Sequence, residues 1–245
     1  MRLDVYLVEC GKVKSRTLAA RLIEEGAVSV CGKVAKKPSE KVNEGDEVTV
    51  MNNELCRYVS RGGLKLEAAL TAFSLDVTGL RAFDFGSSTG GFTDCLLKHG
   101  AAHVYSVDVG RSQLVESVKC DARVSVLEET DARTVTEEHL GEKCDLGVMD
   151  VSFISQSLLY PSCAHNLKTG GFLVTLYKPQ FEVGRQYVGK GGIVKDLRAV
   201  ERARETLVEK AALCGLKFVK HIPSPILGGD GNYEELLYFV RCEHV

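Results

Sequence analysis

A short apolar run, Ala82-Phe83-Asp84-Phe85, breaks into Gly86-Ser87-Ser88-Thr89-Gly90-Gly91 and resumes at once with Phe92-Thr93. At this point the chain has little choice but strand, glycine-rich turn and helix. Gly86, Gly90 and Gly91 accept backbone angles closed to other residues and let a ligand come close to the main chain, and the next helix begins at about Phe92. Such a turn reads as a nucleotide-type cofactor loop. Downstream, His103-Val104-Tyr105-Ser106-Val107-Asp108 reads as a second strand with an acid at its carboxyl end. That acid stands near the ~20-residue offset at which a carboxylate meets ribose hydroxyls. Together the two strands define the first half of a Rossmann-like sheet.

Two cofactors compete for this loop. A nicotinamide dinucleotide brings a pyrophosphate, and its loop prefers G-x-G-x-x-G with no acid beside the phosphates. Here the spacing is G-S-S-T-G-G and Asp84 sits at the strand tip. A carboxylate there repels a pyrophosphate but suits the ammonium of a methionine moiety, so S-adenosylmethionine fits the charges better. A glycine-rich turn that binds nothing is the remaining alternative, and Asp108 argues against it. The expected cofactor contacts are Asp84, Gly86, Ser88, Thr89, Gly90, Gly91, Phe92, Asp108 and Val109, with Asp131 and Asp150 further on.

The chain of 245 residues has room for one ordinary domain plus a small one, and its 44% hydrophobic content supports a sizeable core. A net charge of -2 gives no global basic field, so any nucleic-acid site has to be a local patch. Nine cysteines are scattered singly from Cys10 to Cys242, without C-x-x-C pairs or histidine clusters. Reduced thiols and no structural metal are expected. Arg2, Asp4 and Glu9 interrupt any signal-peptide core, and no apolar run approaches the ~18 residues of a membrane span. The composition therefore points to a soluble cytoplasmic protein.

Residues 1–50 form a unit with a pattern of their own. Leu3, Val5, Tyr6 and Leu7 start a short helix; Ser15 caps a second, in which Leu18, Ala19, Leu22 and Ile23 keep helical spacing until Gly26. Val28-Ser29-Val30 and Lys33-Val34 flank a tight Cys31-Gly32 turn, and Asp46 to Val50 follows Gly45 as a closing strand. Lys12, Lys14, Arg16 and Arg21 gather at the second helix, and Lys33, Lys36 and Lys37 on the hairpin. The unit is barely positive, so its charges are segregated rather than abundant. In this order of helices, basic loop and hairpin it resembles the small S-four-type RNA-binding domain of ribosomal proteins, which implies RNA contact through Lys12, Lys14, Arg16, Arg21 and Lys33. A solvated basic face on a packing domain is the plainer alternative.

Residues 51–57 are polar and read as a linker, and residues 58–245 as a second domain. Tyr58 to Lys65 leads into a helix carrying Leu66, Ala69, Leu70 and Phe73. Strands at Ala82–Phe85, Val104–Asp108, Val124–Leu127, Leu146–Met149 and Phe172–Leu176 alternate with helices after Gly91, Gln113, Phe153 and Asp196, the order of an α/β fold with a mostly parallel sheet. Lys217–Ile222 and Glu235–Val240 are joined closely enough to pair antiparallel. Gly189-Lys190-Gly191-Gly192-Ile193-Val194-Lys195, between Lys178 and the last long helix, reads either as a substrate loop or as a flexible connector.

In an open parallel sheet, ligands collect beyond the carboxyl ends of the strands. Asp150 and Lys178 follow two of those strands, Lys65 opens the first helix of the domain, and Glu234 follows Gly231-Asn232-Tyr233. Methyl transfer from a sulfonium to a ribose hydroxyl needs the hydroxyl proton removed as the new bond forms, so a positioned amine is useful. Lys178 is the candidate base and Asp150 its orienting acid; Lys65 can contact substrate, with Glu234 holding Lys65 or the hydroxyl. Taken singly, each of the four is as well read as a surface ion pair.

Six motifs, Ser60-Arg61-Gly62-Gly63-Leu64-Lys65, G-S-S-T-G-G-F-T-D, Asp108-Val109-Gly110-Arg111-Ser112-Gln113-Leu114, Asp150-Val151-Ser152-Phe153-Ile154, Lys178-Pro179-Gln180-Phe181-Glu182 and Gly231-Asn232-Tyr233-Glu234, resemble those of the TlyA ribosomal RNA methyltransferases. That family also carries an S-four-type domain in front, so the resemblance spans the chain. It implies an FtsJ-type catalytic part with a Lys-Asp-Lys-Glu tetrad, here Lys65, Asp150, Lys178 and Glu234. It further implies S-adenosylmethionine as cofactor, ribosomal RNA or ribosomal subunits as partner, and 2'-O-methylation of cytidine. Arg61 and Lys190 join the expected RNA contacts. Asp131 stands in the loop expected to meet adenine, where it can accept the exocyclic amine's hydrogen bond. The haemolysin name attached to the family finds no lytic or membrane-spanning segment in this sequence. Other classes keep a place: a non-catalytic RNA-binding or ribosome-assembly module, and an NAD-dependent dehydrogenase for which no residue set argues.

Overall fold

The computed structural model describes residues 1–13, 15–24, 26–50 and 57–243. Lys14 and most of the expected linker, residues 51–56, lie outside the described residues, as does the side chain of Arg21. Contacts divide the chain into two compact units, Met1–Arg57 and Tyr58–Val245.

In the first unit, helices α1 (Leu3–Glu9) and α2 (Arg16–Glu24) precede strands β1 (Val28–Val30), β2 (Lys33–Val34) and β3 (Val48–Val50), paired antiparallel in the order β2-β1-β3. Ser15 starts α2 by accepting the Leu18 N–H at 3.2 Å. The closing strand is shorter than expected because the Asp46 carboxylate is turned back onto the Asn43 N–H at 2.8 Å, prolonging the turn. Leu3, Leu7, Leu22, Ile23 and Val28 are buried, each stabilising the unit by about 1.5–3 kcal/mol. In so small a unit no one of them is dispensable.

The second unit opens with α3 (Gly62–Phe73), then alternates β4 (Arg81–Phe85), α4 (Gly91–Lys98), β5 (His103–Val107), α5 (Glu116–Lys119), β6 (Val124–Leu127), α6 (Glu137–Leu140), β7 (Cys144–Met149), α7 (Tyr160–Asn166) and β8 (Leu167–Tyr177). After α8 (Pro179–Glu182) and the long α9 (Leu197–Leu213) come β9 (Leu216–Pro223) and β10 (Glu235–Arg241). The helix expected after Gln113 is only the short α5. The sheet order is β6-β5-β4-β7-β8-β10-β9, with β10 antiparallel to both neighbours and the other pairings parallel. Central strands read as near-continuous apolar runs because helices cover both faces, and Phe83, Phe85, Val148 and Leu173 are fully buried.

This topology fixes where a ligand can sit. From β4 the chain runs outward to β5 and β6, then returns to β7 on the other side of β4. The crevice between the carboxyl ends of β4 and β7 is thus the switch point. Glu235 pairs with Tyr177 across β10 and β8, so the start of the reversed strand lies at the same rim and brings Glu234 next to Lys178 in register.

Candidate active site

A cleft of about 370 Å³ opens at the switch point, within the range of roughly 300–1,000 Å³ usual for small-molecule sites. Of the expected cofactor contacts, Gly86, Ser88, Asp108, Val109, Asp131 and Asp150 line it. Asp108 is held by two backbone donors, Ser88 N–H at 2.7 Å on one oxygen and Gly110 N–H at 2.7 Å on the other. Its carboxylate is thereby pinned across the loop, with lone pairs left for a diol. Val107, Ala132, Ile154 and Leu159 supply apolar wall, and Gln113 and Thr130 polar edge. None of these six is picked out by the sequence motifs as a contact, because a wall is made by proximity rather than by residue type.

Four expected contacts lie off the cleft wall. Gly90 has φ +93°, but a Cβ there would also meet Leu114 Cδ1 at 2.7 Å, so the close approach it permits is to α5's lead-in and not to a ligand. Gly91 needs no left-handed backbone; a Cβ on it would fall 2.1 Å from Ser60 Oγ, and the glycine lets the start of α4 pack on the start of α3. Phe92 is buried in that same contact, 3.4 Å from the place of a Gly62 Cβ. Thr89 is exposed and lies off the cleft wall.

Asp84 is fully enclosed, with 0% of its surface exposed, and does not line the cleft either. One oxygen accepts the Thr93 hydroxyl at 2.7 Å, and Thr93 in turn meets Ser106 at 2.7 Å. The other oxygen, Oδ1, is buried without a hydrogen-bond partner. Burial pushes the carboxyl up to about 7, the Asp150 and Asp108 charges adding to the effect and Thr93 opposing it. An orphaned acid oxygen under the glycine loop fits a cationic group such as an α-ammonium. The residues on the cleft wall therefore suit the nucleoside part of an S-adenosylmethionine molecule, Asp108 for the ribose and the apolar wall for the base, while Asp84 lies buried behind that wall. Asp131, on the cleft wall, accepts Arg133 Nε–H at 3.0 Å on one oxygen and Nη2–H at 2.5 Å on the other, and these bonds hold its carboxyl below the usual range.

Beside the cleft the structure makes two ion pairs from the four polar candidates. Lys178 Nζ lies 2.6 Å from Asp150 Oδ1, a contact of charge rather than an aligned hydrogen bond, and donates to Ser152 Oγ at 2.8 Å. Lys65, in the first turn of α3, pairs with Glu234, and both are buried. A pair so enclosed is costly to break from one side, because the remaining charge stays buried.

Sequence motifs also hold a support whose role was not legible in them. Glu182, at the end of α8, accepts Ser155 Oγ at 2.7 Å and Gln156 N–H at 2.8 Å. Burial raises its carboxyl above the usual range. It fixes the far end of the segment that carries Asp150 and Ser152, while the near end is tied by Asp150 N–H to Phe85 O at 3.0 Å. Within that segment Phe153 has φ +65°, is 91% exposed, and stands 5.0 Å from the Phe181 ring.

Among the expected RNA contacts, Lys12, Lys33 and Lys190 are exposed. Arg16 is also exposed, but its guanidinium is 2.9 Å from the buried Asp4, which Arg2 shares at 2.9 Å. Its charge is thus partly committed to the fold of the first unit. Arg61 is half-buried at the start of α3. Among the described residues, no group of three or more His, Cys, Asp or Glu could hold a metal ion, and no helix is long and apolar enough to cross a membrane.

A family model of FtsJ-like methyltransferases matches residues 58–241, and one of the S4 domain matches residues 1–48. The chain is 43% identical over 97% of its length to a Mycobacterium tuberculosis protein named 16S/23S rRNA (cytidine-2'-O)-methyltransferase TlyA, covering 88% of it. It is 41% identical to Hemolysin A of Brachyspira hyodysenteriae over 98% of this chain and 100% of that one. A solved structure from Streptococcus thermophilus that carries a hemolysin name superposes with a TM-score of 0.79 at 40% identity, covering 99% of this chain and 89% of that one.

Proposed function

The chain belongs to the FtsJ-like methyltransferase family, with an S4 domain ahead of the catalytic unit, and from that premise we propose that it methylates a cytidine 2'-hydroxyl in ribosomal RNA. The observation that carries this reading is the pairing of Lys178 with Asp150 and of Lys65 with Glu234 at the rim of the switch-point cleft. The Mycobacterium relative, named for this reaction and similar along almost the whole chain, supports it. S-adenosylmethionine, when bound, supplies a methyl group on a positively charged sulfur.

The chain's own residues then have separable tasks. Asp108 holds a ribose diol and Asp84 answers a cationic amino end. Lys178, steered by Asp150 and Ser152, takes the proton from the acceptor hydroxyl in its neutral amine form, having first released its own proton to water, as the oxygen becomes nucleophilic; general-base assistance of this kind contributes typically about 10²–10⁴ in rate. Lys65, tied by Glu234, stands ready to hold the oxygen whose charge is developing. Exposed cations of the S4 unit, Lys12 and Lys33 among them, grip phosphates without reading bases. A protein that works on ribosomal RNA is expected in the cytoplasm.

The test is transfer of labelled methyl to purified small and large ribosomal subunits from cells lacking the gene, followed by mapping of reverse-transcription stops at low nucleotide concentration. A stop at a single cytidine that depends on protein and donor is expected. Tight binding to subunits without transfer would instead favour a non-catalytic RNA-binding module.

A further inference from the structure

Between Gly184 and Arg202 the chain holds Arg185, Lys190, Lys195, Arg198 and Arg202 against only Asp196 and Glu201, in a protein of net charge -2. All five cations are exposed. Among the described residues none of them forms an ion pair. Among the described residues Asp196 forms no ion pair with them; its Oδ1 accepts the Ala199 N–H at 3.0 Å to cap α9. Arg202 lies over the Tyr187 ring at 5.8 Å, which leaves its N–H edge free to donate.

The segment is also tightly built, unlike a loose connector. Val188 and Val194 form an antiparallel bridge, and Gly189 N–H bonds Ile193 O at 2.9 Å. Gly191 and Gly192, at φ +73° and +80°, make the reversal that carries Lys190. Asn232, 1% exposed, closes the arrangement from outside: its Oδ1 accepts Val194 N–H at 2.9 Å and its Nδ2 donates to Gly192 O at 2.9 Å. Asn232 lies two residues before Glu234, the partner of Lys65. A buried amide whose two ends are both spent on this loop sets its offset from the turn that holds the reacting groups.

We propose that residues 185–202 are a second RNA-binding surface, gripping phosphates of the acceptor strand beside the target ribose, and that Asn232 is the positioning residue that holds it there. The proposal rests on the RNA-methylating reading above and adds to it a contact in the catalytic unit itself. Phosphate contacts fix register on a nucleic acid, and register close to the reacting hydroxyl is what a nucleotide-specific transfer requires.

The experiment measures methyl transfer to purified ribosomal subunits, with KM for subunits taken at several salt concentrations. A Lys190→Ala, Lys195→Ala double variant should raise that KM about tenfold near 0.1 M salt and lower the slope of log affinity against log salt by about 1 per lysine. Affinity for S-adenosylmethionine, titrated separately, should be unchanged, which also verifies the fold. Asn232→Ala keeps every charge, so it should raise KM while leaving the slope near that of the parent. Parent values of both KM and slope in the double lysine variant would overturn the inference while the proposed function stands. A parent protein that transfers no methyl to any subunit would remove the reading on which it rests. If Asn232→Ala has the parent KM, Asn232 is not the positioning residue.

Discussion

Replacing Asp84 with asparagine tests whether a buried acid is being kept at the expense of the fold. The carboxyl's ordinary value of 3.8 is pushed up to about 7 in the folded protein, chiefly by burial. A shift of about 3 units is worth ~4 kcal/mol once the group is forced to ionise. The sign follows from proton counts. Between about pH 4 and pH 7 the folded state keeps a proton that the unfolded chain has released, so this group's contribution falls as pH rises and levels off above 7. Asparagine keeps an acceptor for the Thr93 hydroxyl and has nothing to ionise. Chemical denaturation followed by circular dichroism should therefore find Asp84→Asn close to the parent at pH 4.5 and more stable by up to ~4 kcal/mol at pH 8. A gap between the two proteins that stays constant across this range would refute the reasoning. Calorimetric titration of S-adenosylmethionine into both proteins supplies the other half: if the orphaned oxygen serves the donor's amino end, the stabler variant should bind at least tenfold more weakly. Equal affinity would remove Asp84 from the site.

Lys178→Arg keeps a positive charge that cannot be given up in the working pH range, so its single-turnover rate should fall by about 10²–10⁴ with donor and subunit binding retained; a rate within a few-fold of the parent would reassign proton removal. Asp108→Ala should weaken donor binding by roughly tenfold to a hundredfold in a calorimetric titration, since it deletes the charged acceptor pinned by Ser88 and Gly110. In the first unit, Arg2 and then Arg16 hold the Asp4 carboxyl well below its usual range, so that unit should lose stability as pH falls through the acid range. Asp4→Asn should show a smaller acid-induced loss by circular dichroism, starting from a lower stability at pH 7.

What could be read along the chain was whatever a local run of residues dictates, and the misreadings share one cause. Strand β4, the glycine turn and Asp108 are separated by a fixed offset, so their placement at one cleft follows from topology alone. The Lys178 and Glu234 neighbourhood follows in the same way once β10 reverses beside β8, because Glu235 faces Tyr177. Local runs say nothing about which distant residue fills the space beside a given atom. Gly91 looks like a ligand glycine until Ser60 is found where its side chain would go. Arg16 looks like a free RNA contact until Asp4, twelve residues earlier, is found beneath it. Asn232 and Glu182 carried no visible assignment, although both stand inside motifs, because an amide or acid is recognised as a strut only when both of its ends are seen to be occupied. The two struts serve neighbouring parts of the same rim. Glu182 holds the segment with Asp150 and Ser152 against Lys178, and Asn232 holds the cationic loop against the turn with Glu234. Charged groups with four flexible bonds, as in Lys65 and Lys178, lose much rotamer freedom when fixed, so the precision of this site has to come from neighbours that are themselves immobile.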